Sequence, residues 1–145
     1  MSVGSICSRV VATVAKTDSV IVAARRMEEH DVGTVVVLEP DGPSRALGIL
    51  TDRDIVLRCV AHALNPETTP VGEVMTTPAQ TADEDTPIEE ALARMVSAGV
   101  RRLIITAKGQ GVVGILSLDD VLDLLALDAR AVSRLLEQQR PQIRA

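Results

Sequence analysis

The 145-residue sequence contains no phenylalanine, tyrosine or tryptophan. Stacking of bases on aromatic rings, the usual device of single-strand nucleic-acid binders, is therefore closed to it. A core must be built from Ala, Val, Leu and Ile instead. Positive charge is not in excess either: the formal net charge is −5. This argues against a polyanion as the main partner, so no nucleic-acid partner is expected. No run of about 18 apolar residues occurs, and the N-terminus lacks a basic segment followed by an apolar run and a cleavage site. The expectation is a cytoplasmic protein with no membrane partner. Cys7 and Cys59 lie far apart and fit no metal spacing; in a reducing compartment they read as small buried apolar residues. His30 and His62 are isolated, so no metal site is expected. No Cys/His or Ser/His/Asp arrangement stands out, and no enzyme is expected.

What is present occurs twice. Adding 68 to the residue number matches Val3 to Val71, Gly4 to Gly72, Thr13 to Thr81, Ala23 to Ala91, Met27 to Met95 and Val32 to Val100. After a hairpin two residues shorter in the second half the offset becomes 66, pairing Gly48, Ile49, Leu50 and Asp54 with Gly114, Ile115, Leu116 and Asp120. The chain is a tandem duplication. Each half ends in a glycine-headed apolar run, a hydroxyl residue and an aspartate three positions later: Gly48-Ile49-Leu50-Thr51-Asp52-Arg53-Asp54 and Gly114-Ile115-Leu116-Ser117-Leu118-Asp119-Asp120. Helical apolar spacing follows each, so the unit reads as strand, tight turn, helix. Two readings of the hydroxyl and acid stand side by side. They resemble a capping box, although Glu or Gln is the usual third residue. Alternatively, a helix N-terminus favours an anion such as phosphate, with the hydroxyl donating to it and the carboxylate accepting ribose hydroxyls.

Taken in order, residues 3–8 read as a helical lead-in and 11–15 as a brief strand. Asp18 or Ser19 is placed to cap a helix through Val20, Ala23, Ala24 and Met27 that stops near Asp31–Gly33. The continuous run Thr34–Leu38 predicts a strand covered on both faces, and 39–43 is turn chemistry before a strand over 46–50. The Thr51 helix is expected to reach about Leu64, where Asn65-Pro66 breaks it. The short 65–70 linker implies that the halves pack together. In the second half Thr86-Pro87-Ile88-Glu89 predicts an N-cap, a proline at the first helical position and a capping-box acid. Strands over 102–106 and 112–116 follow. A last helix from Leu118 is expected to run to about Gln139 before Pro141. Its Leu124, Leu127, Leu135 and Leu136 exceed what the repeat needs to cover, and two uses fit: packing on a partner subunit, or closing the end of its own sheet.

A β-α-β-β-α unit of about sixty residues, doubled and closed both times by G-h-h-[TS]-x-x-D, resembles a tandem CBS-domain protein from Val3 to about Leu127. Thr51-Asp52-Arg53-Asp54-Ile55-Val56, then Asn65-Pro66 and Val71-Gly72-Glu73-Val74-Met75, further resemble small stand-alone bacterial pairs. The resemblance implies an α/β (α+β) fold with repeat 1 over 3–64, repeat 2 over 71–127, pseudo-twofold packing, and a C-terminal helical extension over 128–145. It also implies a non-catalytic regulatory module that binds an adenine nucleotide (AMP, ADP, ATP or NAD-like) between the repeats and signals by conformational shift. The ligand is regulatory, not a resident cofactor. The expected partners are a second copy in a homodimer and an unidentified regulated protein. The alternative is a constitutive dimeric scaffold without a small-molecule ligand. Carried over, Thr51 with Asp54 serves one cleft and Ser117 with Asp120 the other. Thr13 and Thr81 fall near the base, Arg53 near phosphate, and Arg101 and Arg102 where some members place basic residues toward phosphate. On a strand only one of these two can point inward, and a solvent-facing edge explains them as well. Their counterparts Gly33 and Thr34 make the two clefts unequal. Two departures stand out: Val36 and Ile104 replace a proline common in the family, and Ser117-Leu118 is less polar than Thr51-Asp52.

Overall fold

The computed structural model describes residues 1–138, the side chains of 42–44 excepted. The expected end of the last helix at Gln139 and its stop at Pro141 fall outside those residues.

Each repeat builds a three-stranded sheet. In the first, β1 (Thr13–Ala15) runs parallel to β2 (Thr34–Glu39), which pairs antiparallel with β3 (Gly42–Thr51). Helix α1 (Val20–His30) joins β1 to β2. After β3 come a short α2 (Asp52–Asp54) and a π-helical segment (Ile55–Val60). The second repeat follows α3 (Val71–Val74) and copies the plan: β4 (Thr81–Asp83), α4 (Ile88–Ala98), β5 (Arg102–Ala107), β6 (Gly111–Ser117) and α5 (Leu118–Gln138). No helix among the described residues is long and apolar enough to cross a membrane.

Strand alternation explains the uninterrupted apolar run of β2. Val35 and Val37 join the first core with Val14, Ala23, Met27 and Leu50, whereas Val36, also fully buried, faces away from it. Leu103 and Ile105 enter the second core, and Ile104 between them looks the other way. The outward faces meet, with β3 packing against β6 across the repeats. The positions that lack the family proline are thus buried on the inter-repeat side.

The lead-ins cross over. Val3, in a 3₁₀ turn (Val3–Ser5), packs in the core of the second repeat, and Val71 and Val74 of α3 pack in that of the first. Beyond these turns the chain adds a rung to the opposite sheet: Ser8 exchanges both backbone hydrogen bonds with Ile115, and Thr76 with Ile49. Such close approach requires the motif glycines. A methyl group at Gly48 would overlap the Thr76 carbonyl oxygen, and one at Gly114 would lie 2.7 Å from Cys7 Sγ and 2.8 Å from the Ser8 carbonyl oxygen.

Crossing also replaces the expected side-chain caps. The N-terminal amides of α1 are satisfied by carbonyls of the linker, Val20 donating to Thr69 and Ile21 to Pro66; Ile88 of α4 donates to Met1. Ser19 holds the N-cap position of α1 but makes no side-chain cap bond, and Asp18 Oδ2 accepts instead from the Ala15 amide, at 2.8 Å. Thr86 is not the N-cap of α4. Pro87 holds that position, with no side-chain cap, and the Thr86 carbonyl accepts from the Val3 amide of the first lead-in.

The helix after Thr51 ends at Val60 rather than near Leu64. Its final bonds widen to five residues, Ala61 to Val56 and Leu64 to Cys59, and Ala63 turns left-handed with φ of 54°.

Candidate functional site

Both motif pairs form reciprocal caps. The Thr51 hydroxyl accepts from the Asp54 amide at 3.1 Å while Asp54 Oδ2 accepts from the Thr51 amide at 3.1 Å. In the second repeat Ser117 Oγ accepts from the Asp120 amide at 3.2 Å, and Asp120 Oδ2 accepts from the Ser117 amide at 2.7 Å and from its hydroxyl at 2.9 Å. The two acids then differ. Asp54 is further engaged, accepting from the Thr76 hydroxyl at 3.3 Å and facing Arg58 at 3.6 Å. All the hydrogen bonds of Asp120 fall on Oδ2.

The caps bring the strand ends of both repeats to one polar cleft of about 340 Å³, lined by Thr51, Asp52, Arg53, Arg101, Arg102, Ser117, Leu118 and Asp119. Three guanidinium groups face two carboxylates there, and both motif hydroxyls border it. Arg101 and Arg102 both line the cleft, contrary to the expectation for two successive strand residues. The strand begins only at Arg102; Arg101 lies in the bend before it, where its carbonyl accepts from the Leu118 amide at 2.9 Å. The matching bond in the first repeat joins the Asp52 amide to the Gly33 carbonyl at 3.0 Å.

Next to the cleft lies a more enclosed cavity of about 240 Å³. Its walls are largely aliphatic, from Ile49, Ala98, Val100, Ile104, Ile115 and Pro78, with Thr34, Thr76, Thr77, Gln80 and Arg102 adding polar atoms. Arg102 borders both spaces. Taken together their volumes lie within the range of small-molecule sites, ~300–1,000 Å³.

Not every candidate residue converges here. Asp54 and Asp120 sit behind the cleft as capping acids and do not line it. Gly33 faces an open groove beside α1, in contact with Asp52. Thr13 and Thr81 line two separate depressions at the far ends of the sheets. Sequence reasoning missed the stretch Thr76–Gln80, which forms one wall of the cavity. A signal existed: the 68-residue offset places Thr76 opposite Ser8, the two points at which the lead-ins cross.

Burial pushes the Cys7 thiol above the ordinary range, Arg9 opposes this, and Asp120 adds to it. A protonated thiol packed beside Gly114 is an inert spacer. Among the described residues no three His, Cys, Asp or Glu side chains stand close enough to hold a metal ion.

Residues 3–60 and 71–127 each match the CBS domain family model. An uncharacterized protein of Methanopyrus kandleri, MK0525, is 35% identical over 125 residues, covering 86% of this chain and 62% of that protein. Hypoxic response protein 1 of Mycobacterium tuberculosis is 33% identical over 111 residues, 77% of this chain and 76% of that protein. A crystal structure of Hypoxic Response Protein I with two coordinated zinc ions superposes with a TM-score of 0.72, at 31% identity over 85% of this chain and 98% of that one. A CBS domain protein of Pyrobaculum aerophilum, solved in complex with AMP, shares the fold with a TM-score of 0.73 at 24% identity, over 83% of this chain and 89% of that one.

Proposed function

Since the chain belongs to the CBS-domain family, whose members are generally regulatory rather than catalytic, we propose that it is a non-catalytic module whose inter-repeat site binds an adenine nucleotide and reports its presence by a shift in conformation. The observation that carries this reading is the position of Arg102, which borders both an aliphatic cavity and a polar, arginine-lined cleft. A nucleotide has the same two halves. Its base would lie between Ile49, Ile104 and Ile115 with Thr76, Thr77 and Gln80 in reach of its edge. Its phosphate would enter the cleft toward Arg53, Arg101 and Arg102, with the Thr51 and Ser117 hydroxyls beside it. The Pyrobaculum complex is an instance of the same fold holding AMP. Neither motif acid lines this site: Asp120 caps through Oδ2, Asp54 is consumed by Thr51, Thr76 and Arg58, and both serve structure. Thr13, Gly33 and Thr81 have no part in this site.

The test is thermal unfolding followed by circular dichroism, with AMP, ADP, ATP, NAD and S-adenosylmethionine each titrated at fixed protein concentration. A ligand that binds only the folded state raises the midpoint as its concentration passes its Kd. Arg102→Ala is expected to weaken the active ligand by about tenfold or more, the usual cost of losing a charged hydrogen bond. An unmoved midpoint with all five ligands at millimolar concentration rejects the nucleotide reading. It would favour the second one, a constitutive homodimeric scaffold, supported by the apolar side chains left exposed on the helices after Thr51 and Ser117. In either case the proposed setting is the cytoplasm, and the proposed output is contact with a regulated protein.

A further inference from the structure

The two repeats differ at one junction between helix and lead-in, and the difference involves a half-exposed residue outside the site. Arg58 lies in the π-helical segment, and its guanidinium reaches across to the second lead-in. Nη1 donates to the Val74 carbonyl at 3.0 Å and to the Thr76 hydroxyl at 3.1 Å, while Nη2 lies 3.6 Å from Asp54 Oδ1. Val74 ends α3, so its carbonyl has no helical donor and needs an outside partner. The Thr76 hydroxyl in turn donates to Asp54 at 3.3 Å. Helix, lead-in and cap are thus closed into one ring by three hydrogen bonds and an ion pair.

The second repeat has no such ring. The 66-residue offset places Leu124 at the position of Arg58, and Leu124 packs against the apolar core. Ser8, the counterpart of Thr76, uses its hydroxyl to accept from the Val10 amide at 3.3 Å. Among the described residues it is the Thr76 side of the fold that such a side chain ties to a helix, and Thr76 lines the aliphatic cavity. The helix so tied carries Val56, Leu57 and Val60, each about half exposed or more.

We propose that Arg58 is a positioning residue that couples the Thr76 wall of the cavity to the helix after Thr51, so that a ligand pressing on Thr76 moves that helix and not α5. The ligand half of this statement rests on the nucleotide reading above; the coupling half does not. A group that bonds Thr76 draws its hydroxyl away from Arg58 and Asp54. The guanidinium then holds Val74 and Asp54 alone, and the π-helical segment settles at a different height against α3. Differential contact of this kind is what population shift requires.

Amide exchange followed by mass spectrometry or NMR reads both ends of the coupling. The reporters are the Thr76 and Ala79 amides at the wall and the Ala61 and Leu64 amides at the helix end, with Ser8 as the control in the other crossing. Without nucleotide, Arg58→Leu, which installs the residue type of the second repeat, is expected to speed exchange at Thr76 and Ala79 by about fivefold, as loss of one hydrogen bond would. Ser8 is expected to stay unchanged. Reciprocally, Thr76→Val is expected to speed Ala61 and Leu64. Arg58→Lys, which keeps one donor centre, is expected to restore part of the protection. With AMP as the probe, the wild type gains protection at the wall and exchanges faster at Ala61 and Leu64, whereas Arg58→Leu gains protection at the wall with no AMP response at the helix end. Unchanged exchange at Thr76 and Ala79 in Arg58→Leu, or an AMP response at Ala61 in that variant equal to the wild type's, overturns the proposal. If AMP protects nothing in the wild type, the nucleotide reading with this probe fails, and the two nucleotide-free comparisons alone decide the coupling.

Discussion

Side chains at the motif do more than one task, and the glycines set the limits. Gly48 and Gly114 stand within the closing strands where the opposite lead-in passes over them at contact distance. Gly114→Ala is therefore expected to cost about 1–3 kcal/mol, the range for overpacking a close-packed interior, measured by urea unfolding with circular dichroism as the signal. A cost near zero would mean that Cys7 and Ser8 can retreat freely. The capping reading of Thr51/Asp54 and Ser117/Asp120 was legible in sequence, since a hydroxyl and an acid three residues on carry their geometry with them. Their inequality was not. Asp54 differs from Asp120 through Arg58 and Thr76, residues whose proximity is created by the fold, and nothing in the local spacing of either motif announces it.

Among the elements, those defined by period were readable and those defined by who covers them were not. The runs at 34–39 and 102–107 and the helices at 20–30 and 88–98 follow from strand and helix patterning alone. The caps of α1 and α4 defeated local rules because linker and N-terminal carbonyls had already satisfied those amides. The cavity wall at Thr76–Gln80 was hidden for a related reason: a polar, proline-containing stretch reads as loop, and only the crossed pairing with Ile49 turns it inward. Crossing also makes a prediction at this scale. Val3 is fully buried, yet its neighbours are Ala82, Leu103 and Leu116. Val3→Ala is expected to cost about 1–3 kcal/mol, with faster amide exchange at Leu103 and Leu116 than at Val35 and Val37. The reverse order would place Val3 in the first core.

As a whole, the molecule leaves one kind of surface unaccounted for. Leu122, Leu125, Val132 and Leu136 recur at helical spacing on α5, and each is more than half exposed. Val56, Leu57 and Val60 are likewise exposed on the helix after Thr51, and exposed apolar side chains of this number are what self-association would cover. Leu125→Glu combined with Leu136→Glu is expected to halve the mass seen by light scattering while leaving the circular dichroism spectrum intact. A wild type already monomeric at high concentration would discard self-association. The fold class and the duplication were legible from the 68- and 66-residue offsets, because each repeat carries its own pattern. The arrangement of the repeats depends on contacts between residues far apart in the chain, and no period encodes those.

The exchanged lead-ins bear on the order of events during synthesis. Val3 leaves the ribosome ahead of both cores, and Leu116 and Val121, which enclose it, are made more than a hundred positions later. The first core takes nothing from Val3 and is built from residues 12–75, so it can close once α3 has been made. The second core lacks its Val3 contacts until Leu116 and Val121 appear, and its closure is the step whose rate is governed by the longest-range contacts.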